Sequence, residues 1–227
     1  MKVVTIIQAR TTSSRLPNKV MLDIYGKSLL ERVIEQVRKI KNSDEIWVAT
    51  STHAHDDIIE LLCERLSVPC YRGSLKDVRS RFYDIGKRQK ADLIVRITAD
   101  NPLTNPDIAA ELIETLKNNQ TYDYVRMDWS KIIDGSHSEV FTFDALEKSI
   151  DKYKSKDDIE HVTLAIINHM NILEISPSDE ELISENSYFA GVDTFEDYKK
   201  SNLLFKKYGE TNTLKQLIKE LKNGKTI

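Results

Sequence analysis

The sequence predicts an α/β domain: a mainly parallel sheet with helices on both faces. Three observations carry that prediction. Short apolar runs alternate with amphipathic helices over the first 130 residues. Polar segments rich in chemistry follow three of those runs, after Gln8, Thr50 and Thr98, and ligands gather at the carboxyl ends of strands in such sheets. A length of 227 residues suits one domain of this class.

Each element follows from its pattern. Val3–Gln8 is a short apolar run and reads as a buried strand. Ser28 to Glu31 matches a capping box, and Leu30, Val33, Ile34, Val37 and Ile40 then mark one helical face. Glu45–Ser51 is a second strand. Asp56–Leu66 is a helix with Ile58, Ile59, Leu62 and Leu66 inward, followed by a strand at Val68–Tyr71. Asp77–Lys87 is helical through Val78, Phe82 and Ile85, and Asp92–Thr98 is a strand. Pro106 starts the next helix, with Ile108, Leu112, Ile113 and Leu116 on its apolar face, before a strand at Tyr122–Met127. Beyond residue 130 the pattern loosens. Helices are expected at Phe143–Tyr153, Asp158–Met170, Thr194–Tyr208 and Thr213–Leu221, with a strand at Ile172–Ser176. No repeat, low-complexity tract or linker demands a second domain, so residues 1–227 are read as one unit.

Composition narrows the function. The chain is 40% hydrophobic and 30% charged, enough to build a core. Its net charge of −3 gives no overall basic field for coating nucleic acid, although a local basic site stays open. No run approaches the roughly 18 apolar residues of a membrane span, and the apolar start is cut off at Gln8, too early for a signal peptide. Cys63 and Cys70 are too few for a structural zinc site, and Cys63 falls on an apolar helix face. The expected setting is the cytoplasm.

Four segments carry candidate chemistry. Gln8 to Lys19 follows the first strand with small and hydroxyl residues and three cations, Arg10, Arg15 and Lys19. That composition suits a phosphate-binding loop without P-loop spacing, and equally a solvated basic loop. Asp100 stands just beyond an apolar strand, where a carboxylate can hold a magnesium ion or merely shape an Asp-Asn-Pro turn. Asp193 precedes a helix, and either it or Thr194 can cap that helix, with Thr194 and Asp197 spaced as a capping box. Asp134, His137 and Glu139, with Glu160 and His161, form polar clusters beside apolar anchors, as a sugar pocket needs. The plainer alternatives are a turn for His137 and a satisfied helix histidine for His161. Nucleophile-elbow, HExxH and GxGxxG motifs are absent from the sequence.

These segments, taken in order, resemble a known family. QARTTSSRLPNKV at the start, ATST (49–52), YRGS with DV and RF (71–82), VRITADNPL (95–103), DG with EVF (134–141), EHVT (160–163) and VDTFEDY (192–198) are similar to the signature of SpsF-type spore coat polysaccharide biosynthesis proteins. That family is related to the CMP-sugar synthetases for acylneuraminate and 3-deoxy-manno-octulosonate. The resemblance spans nearly the whole chain. It implies a nucleotide-diphospho-sugar transferase-like, Rossmann-like fold, a homodimer, and transfer of a nucleotidyl group, CMP from CTP, to a sugar with release of pyrophosphate for a surface polysaccharide or glycan. By position it places Gln8, Ala9, Arg10, Ser13, Arg15, Lys19 and Thr98 on the nucleotide, with Arg72, Gly73 and Ser74 on a loop near it. It also places Arg10, Lys19 and Asp100 at the chemistry, and Asp100 and Asp193 on Mg2+. Asp134, His137, Glu139, Glu160 and His161 are left for the sugar, with residues 128–176 contributing pocket and dimer elements. Asn18 stands where a glycine usually precedes the lysine, which asparagine tolerates even at positive φ. Two other readings stay open: a nucleotidyltransferase joining a sugar 1-phosphate to another NTP, and a catalytically silent sugar- or nucleotide-binding subunit.

Overall fold

The computed structural model describes residues 1–184, 188–209 and 213–223. In chain order the strands are β1 (Val3–Gln8), β2 (Asp23–Ile24), β3 (Lys27–Ser28), β4 (Glu45–Ser51), β5 (Cys70–Gly73), β6 (Leu93–Thr98), β7 (Tyr124–Met127), β8 (Glu139–Thr142) and β9 (Ile172–Ile175). The α-helices are α1 (Leu29–Val37), α2 (Asp57–Arg65), α3 (Val78–Gln89), α4 (Pro106–Asn118), α5 (Phe143–Lys152), α6 (Lys156–Glu160), α7 (Leu164–His169), α8 (Phe195–Tyr208) and α9 (Thr213–Lys222).

Seven strands form one sheet in the order β5-β4-β1-β6-β8-β7-β9, and β2 pairs with β3 apart from it. All pairings in the large sheet are parallel except those of β8, which runs against both β6 and β7. From β1 the chain winds outward through β4 to β5, then returns to β6 on the other side of β1. That reversal opens a crevice at the carboxyl ends of β1 and β6, the place where open α/β sheets take ligands.

Alternation along β1 divides the core. Val3 and Ile7 face a layer filled from α1, α2, α4, α8 and α9, while Val4 and Ile6 face one filled from α3, α5 and α7. Each helix inserts an apolar stripe, such as Ile108, Leu112, Ile113 and Leu116 of α4. Asn105 caps α4 through the N–H groups of Asp107 and Ile108, with Pro106 in its first turn.

The structure departs from the expected elements at four places. Ile58 is 49% exposed, because α2 turns Ile59, Leu62 and Cys63 inward instead. The expected helix over 158–170 is two helices, since Ser155 and Asp158 form a capping box that starts α6 early and His161 leaves helical geometry. Thr163, two residues on, bonds buried Glu139. Strand β8 lies where no strand is expected. At residue 28 only half of the capping box forms: Ser28 accepts from the Glu31 N–H, while the Glu31 carboxylate pairs with Arg65 at 2.7 Å. Cys63 and Cys70 are free thiols, and no helix of the described residues is long and apolar enough to cross a membrane.

Candidate active site

The loop after β1 is fastened from beneath by a buried carboxylate. Asp56, fully buried, accepts from the Thr11 N–H at 2.8 Å and the Thr11 hydroxyl at 2.7 Å, and its other oxygen takes the Ser51 N–H and hydroxyl. Burial alone would raise its pKa, but those donors outweigh burial and hold it below the usual range. The loop then folds on itself: the N–H groups of Ser13 and Asn18 both donate to the Thr11 carbonyl. Asn18 has φ 58°, the left-handed conformation that asparagine accommodates where a glycine is usual.

This turn delivers Lys19 into the crevice. Its side chain is 9% exposed, and its Nζ donates to Asp100 Oδ2 at 2.7 Å and to Asp193 Oδ1 at 2.9 Å. Two carboxylates far apart in sequence therefore converge on one cation. Arg15, itself largely exposed, adds a bond from Nη2 to Asp193 Oδ1 at 2.8 Å. Burial pushes the Asp100 carboxyl upward, but the Lys19 charge beside it, with hydrogen bonds from Lys19 and Thr98, holds it net below the usual carboxylate value.

Backbone contacts fix that convergence. The Val192 N–H donates to the Asp100 carbonyl at 2.8 Å, and the Ala190 N–H to the Asp134 carbonyl at 2.8 Å. Gly135, at φ 90°, lets the two segments touch: a Cβ there would lie 2.4 Å from the Gly191 nitrogen. Thr194 takes the cap of α8, in a capping box with Asp197. The helix thus needs nothing from Asp193, whose carboxylate turns to Lys19 instead.

The crevice brings together most of the expected residues. Gln8, Ala9, Arg10, Ser13, Arg15 and Lys19 line it from the loop. Thr98, Asp100, Asp193, Glu160 and His161 join them on the wall, the last two carried in by the break between α6 and α7. Others lie off the lining. Arg72 is spent on the Ser51 and His53 carbonyls and on Asp57 and Glu60. Gly73 and Ser74 pack against Arg81, whose Nε donates to the Ser74 carbonyl. Asp134 is exposed, 3.6 Å from His137 Nδ1. His137 lies beside the Trp129 ring, and burial lowers its pKa, so its imidazole is neutral at neutral pH.

Glu139 is the clearest displacement from expectation. It is 3% exposed and fully committed, accepting from Tyr124 Oη at 2.6 Å, from Thr163 Oγ1 at 2.9 Å and from Arg96 Nη1. Arg96, whose Nε donates to Gln8 Oε1 at 3.1 Å, is the member of this network that reaches the crevice. Sequence reasoning missed Arg96 and Arg81 as wall residues. The available signal was an arginine within an apolar pattern: Arg96 inside a buried strand, Arg81 between Val78 and Phe82 on the inward stripe of α3.

Burial raises and Arg96, Tyr124 and His137 lower the Glu139 pKa, with a net fall below its ordinary 4.5. A carboxyl depressed by folding contributes stability that is fully present above its unfolded pKa and is lost as pH falls through the folded one. Asp56 and Asp100 add in the same direction. Stability measured by denaturant titration is expected to hold from neutrality to about pH 5 and to fall progressively below it. Glu139→Gln is expected to cost about 2 kcal/mol at neutral pH, because half-buried Arg96 is left without its counter-charge, and to flatten the acid limb.

Comparison with known proteins agrees with this geometry. The model of the family described as cytidylyltransferase matches residues 4–227. The chain belongs to the cytidylyltransferase family. It is therefore a nucleotidyltransferase enzyme, moving a CMP group from CTP. The spore coat polysaccharide biosynthesis protein SpsF of Bacillus subtilis is 32% identical over 215 residues, covering 92% of this chain and 88% of that one, as the signature segments implied. A Methanocaldococcus jannaschii protein, MJ1063, is 43% identical over 201 residues, 88% of this chain and 81% of its own length. The structure of a cytidylyltransferase from Leptospira borgpetersenii superimposes with a TM-score of 0.89 at 26% identity, covering 100% of this chain and 99% of that one.

Proposed function

We propose that this cytidylyltransferase transfers CMP from CTP to a sugar, supplying an activated sugar for a surface polysaccharide. The observation that carries the proposal is the Lys19 ammonium held between Asp100 and Asp193 at the mouth of a basic loop. Two convergent carboxylates beside a phosphate-binding loop are the donor set magnesium prefers, with the remaining ligands drawn from phosphate oxygens and water. Asp100 and Asp193 would hold Mg2+, which, when bound, supplies neutralisation of the charge on the phosphates.

The chain's own residues supply the rest. Arg10, Arg15 and Lys19 bind triphosphate oxygens, and Ser13 and Ser14, which line the crevice, orient them. Lys19 is poised to neutralise charge at the transferring phosphorus, where positioning and electrostatics suffice without a covalent nucleophile. A sugar oxygen attacks that phosphorus in line, one P–O bond forming as the bond to pyrophosphate breaks. Glu160 and His161 face the acceptor from the same wall, and Arg96 donates to it, oriented by Glu139. The working form on this reading is a cytoplasmic homodimer, with residues 128–176 adding pocket and subunit contacts. In that segment Trp129, 54% exposed with Arg126 against its ring, offers an aromatic contact.

A pyrophosphate-release assay over the four common NTPs and a set of sugars and sugar 1-phosphates tests this. Turnover is expected with CTP, magnesium and a free sugar. Turnover restricted to a sugar 1-phosphate would refute the acceptor, and none with any pair would favour a silent binding subunit.

A further inference from the structure

The backbone of His161 is held on both sides while its ring is left uncommitted. Its N–H donates to the Asp157 carbonyl at 2.8 Å, and its carbonyl accepts from the Leu164 N–H at 3.0 Å. At φ −100° and ψ 96° it ends α6 and turns the chain. The next two residues are anchored, Val162 in the core and Thr163 on buried Glu139. Among the described residues the imidazole has no hydrogen-bond or ion-pair partner, and it lines the crevice. A ring with both nitrogens unspent, on a fixed backbone, is placed to act on a ligand.

The other titratable groups of that wall are less free to take a proton. Arg10, Arg15, Arg81 and Arg96 are arginines, which stay protonated. Lys19 donates to Asp100 and Asp193, which engages all three. Glu160 also lines a neighbouring cavity with Arg10, Lys76, Lys154 and Lys156, where cations favour its carboxylate. Imidazole is also the side chain suited to accept a proton near neutral pH.

One anchor sets the direction of the ring. Glu139 accepts from the Thr163 hydroxyl at 2.9 Å and from Arg96 Nη1. A single buried carboxylate thus positions both Arg96 and the segment that carries His161, on the acceptor side of the crevice. The chemistry of the acceptor decides whether a base is needed there. A sugar hydroxyl keeps its proton at neutral pH and attacks well only as that proton leaves, whereas the oxygen of a sugar 1-phosphate is already ionised.

We propose that His161 is the general base of the transfer and that the acceptor attacks through a hydroxyl. This rests on the reading that CTP and a free sugar meet in the crevice. The imidazole takes the hydroxyl proton as the sugar oxygen bonds to the transferring phosphorus. Pyrophosphate leaves with the electron pair of the breaking P–O bond, and the exposed imidazolium passes its proton to water.

Steady-state pyrophosphate release by the full chain, with CTP, magnesium and the free sugar turned over fastest in the set, tests it. His161→Ala is expected to lower kcat about a hundredfold to ten-thousandfold. CTP affinity, read by titration calorimetry, should stay within about twofold. Imidazole added to the buffer should raise turnover of the alanine variant about tenfold, and leave His161→Gln, whose side chain fills the space, unmoved. Turnover of His161→Ala within about threefold of wild type would overturn the proposal. So would a loss that imidazole does not relieve, which would make His161 a binding or positioning residue. Wild-type turnover with sugar 1-phosphates alone, or with no acceptor at all, would instead refute the reading on which the proposal rests.

Discussion

Asp100→Asn is expected to lower kcat at least about a hundredfold while the protein stays folded. The substitution keeps the shape of the side chain and the Asp100 carbonyl that receives the Val192 N–H, so the local backbone has no reason to move. What it removes is one of the two negative charges that converge at Lys19. Loss of a group that stabilises transition-state charge costs about 3 kcal/mol or more in systems of this kind. Steady-state pyrophosphate release, with circular dichroism as the control for folding, measures it. Asp193→Asn should behave alike, and the double variant should lose little more than either single one, since the two carboxylates act as a unit. Turnover unchanged in Asp100→Asn would remove this carboxylate from the chemistry.

Lys19→Met is expected to have two effects that separate on adding metal. Turnover should fall by about a hundredfold to a thousandfold, because a charge aimed at the phosphates is gone. Without metal, Asp100 and Asp193 then face each other with no cation between them except exposed Arg15. Both carboxylates keep some solvent contact, so the cost to stability is about 2 kcal/mol, less than for a fully buried pair. For a chain of this size that lowers Tm by about 4–8 °C. Millimolar magnesium should restore much of the loss in the variant and shift the wild type less. A variant as stable as wild type without metal would show that Lys19 does not hold the two acids together.

Much of the fold is legible because its elements repeat a local pattern. The apolar runs of β1 and β6 and the stripes of α1 and α4 each satisfy a simple period, and the structure keeps them within a residue or two. Strand β8 is not legible, because Glu139 opens it and only two apolar residues follow. A buried glutamate inside a central strand makes sense only once Tyr124, Thr163 and Arg96 are seen around it. The break after Glu160 is hidden for the same reason: His161 leaves helical geometry, and Thr163, two residues on, bonds that glutamate.

The site divides in a similar way. Arg10, Arg15 and Lys19 stand together in the sequence, so their cluster is visible there. Asp193 is visible only as one of two capping candidates, and the choice of Thr194 depends on atoms that face each other in space. Arg72 shows the reverse case: a cation in a signature segment that the fold spends on Asp57 and Glu60. Arg81, nine residues on, takes the wall position, which the sequence marks only as an arginine inside the apolar stripe of α3.

A structure of the chain soaked with CTP and magnesium tests the central claim most directly. The account predicts one ion bound by Asp100 and Asp193 together with phosphate oxygens, and Lys19 withdrawn from between the carboxylates to the triphosphate. A triphosphate bound away from the Gln8–Lys19 loop, or an ion that touches neither aspartate, would contradict it.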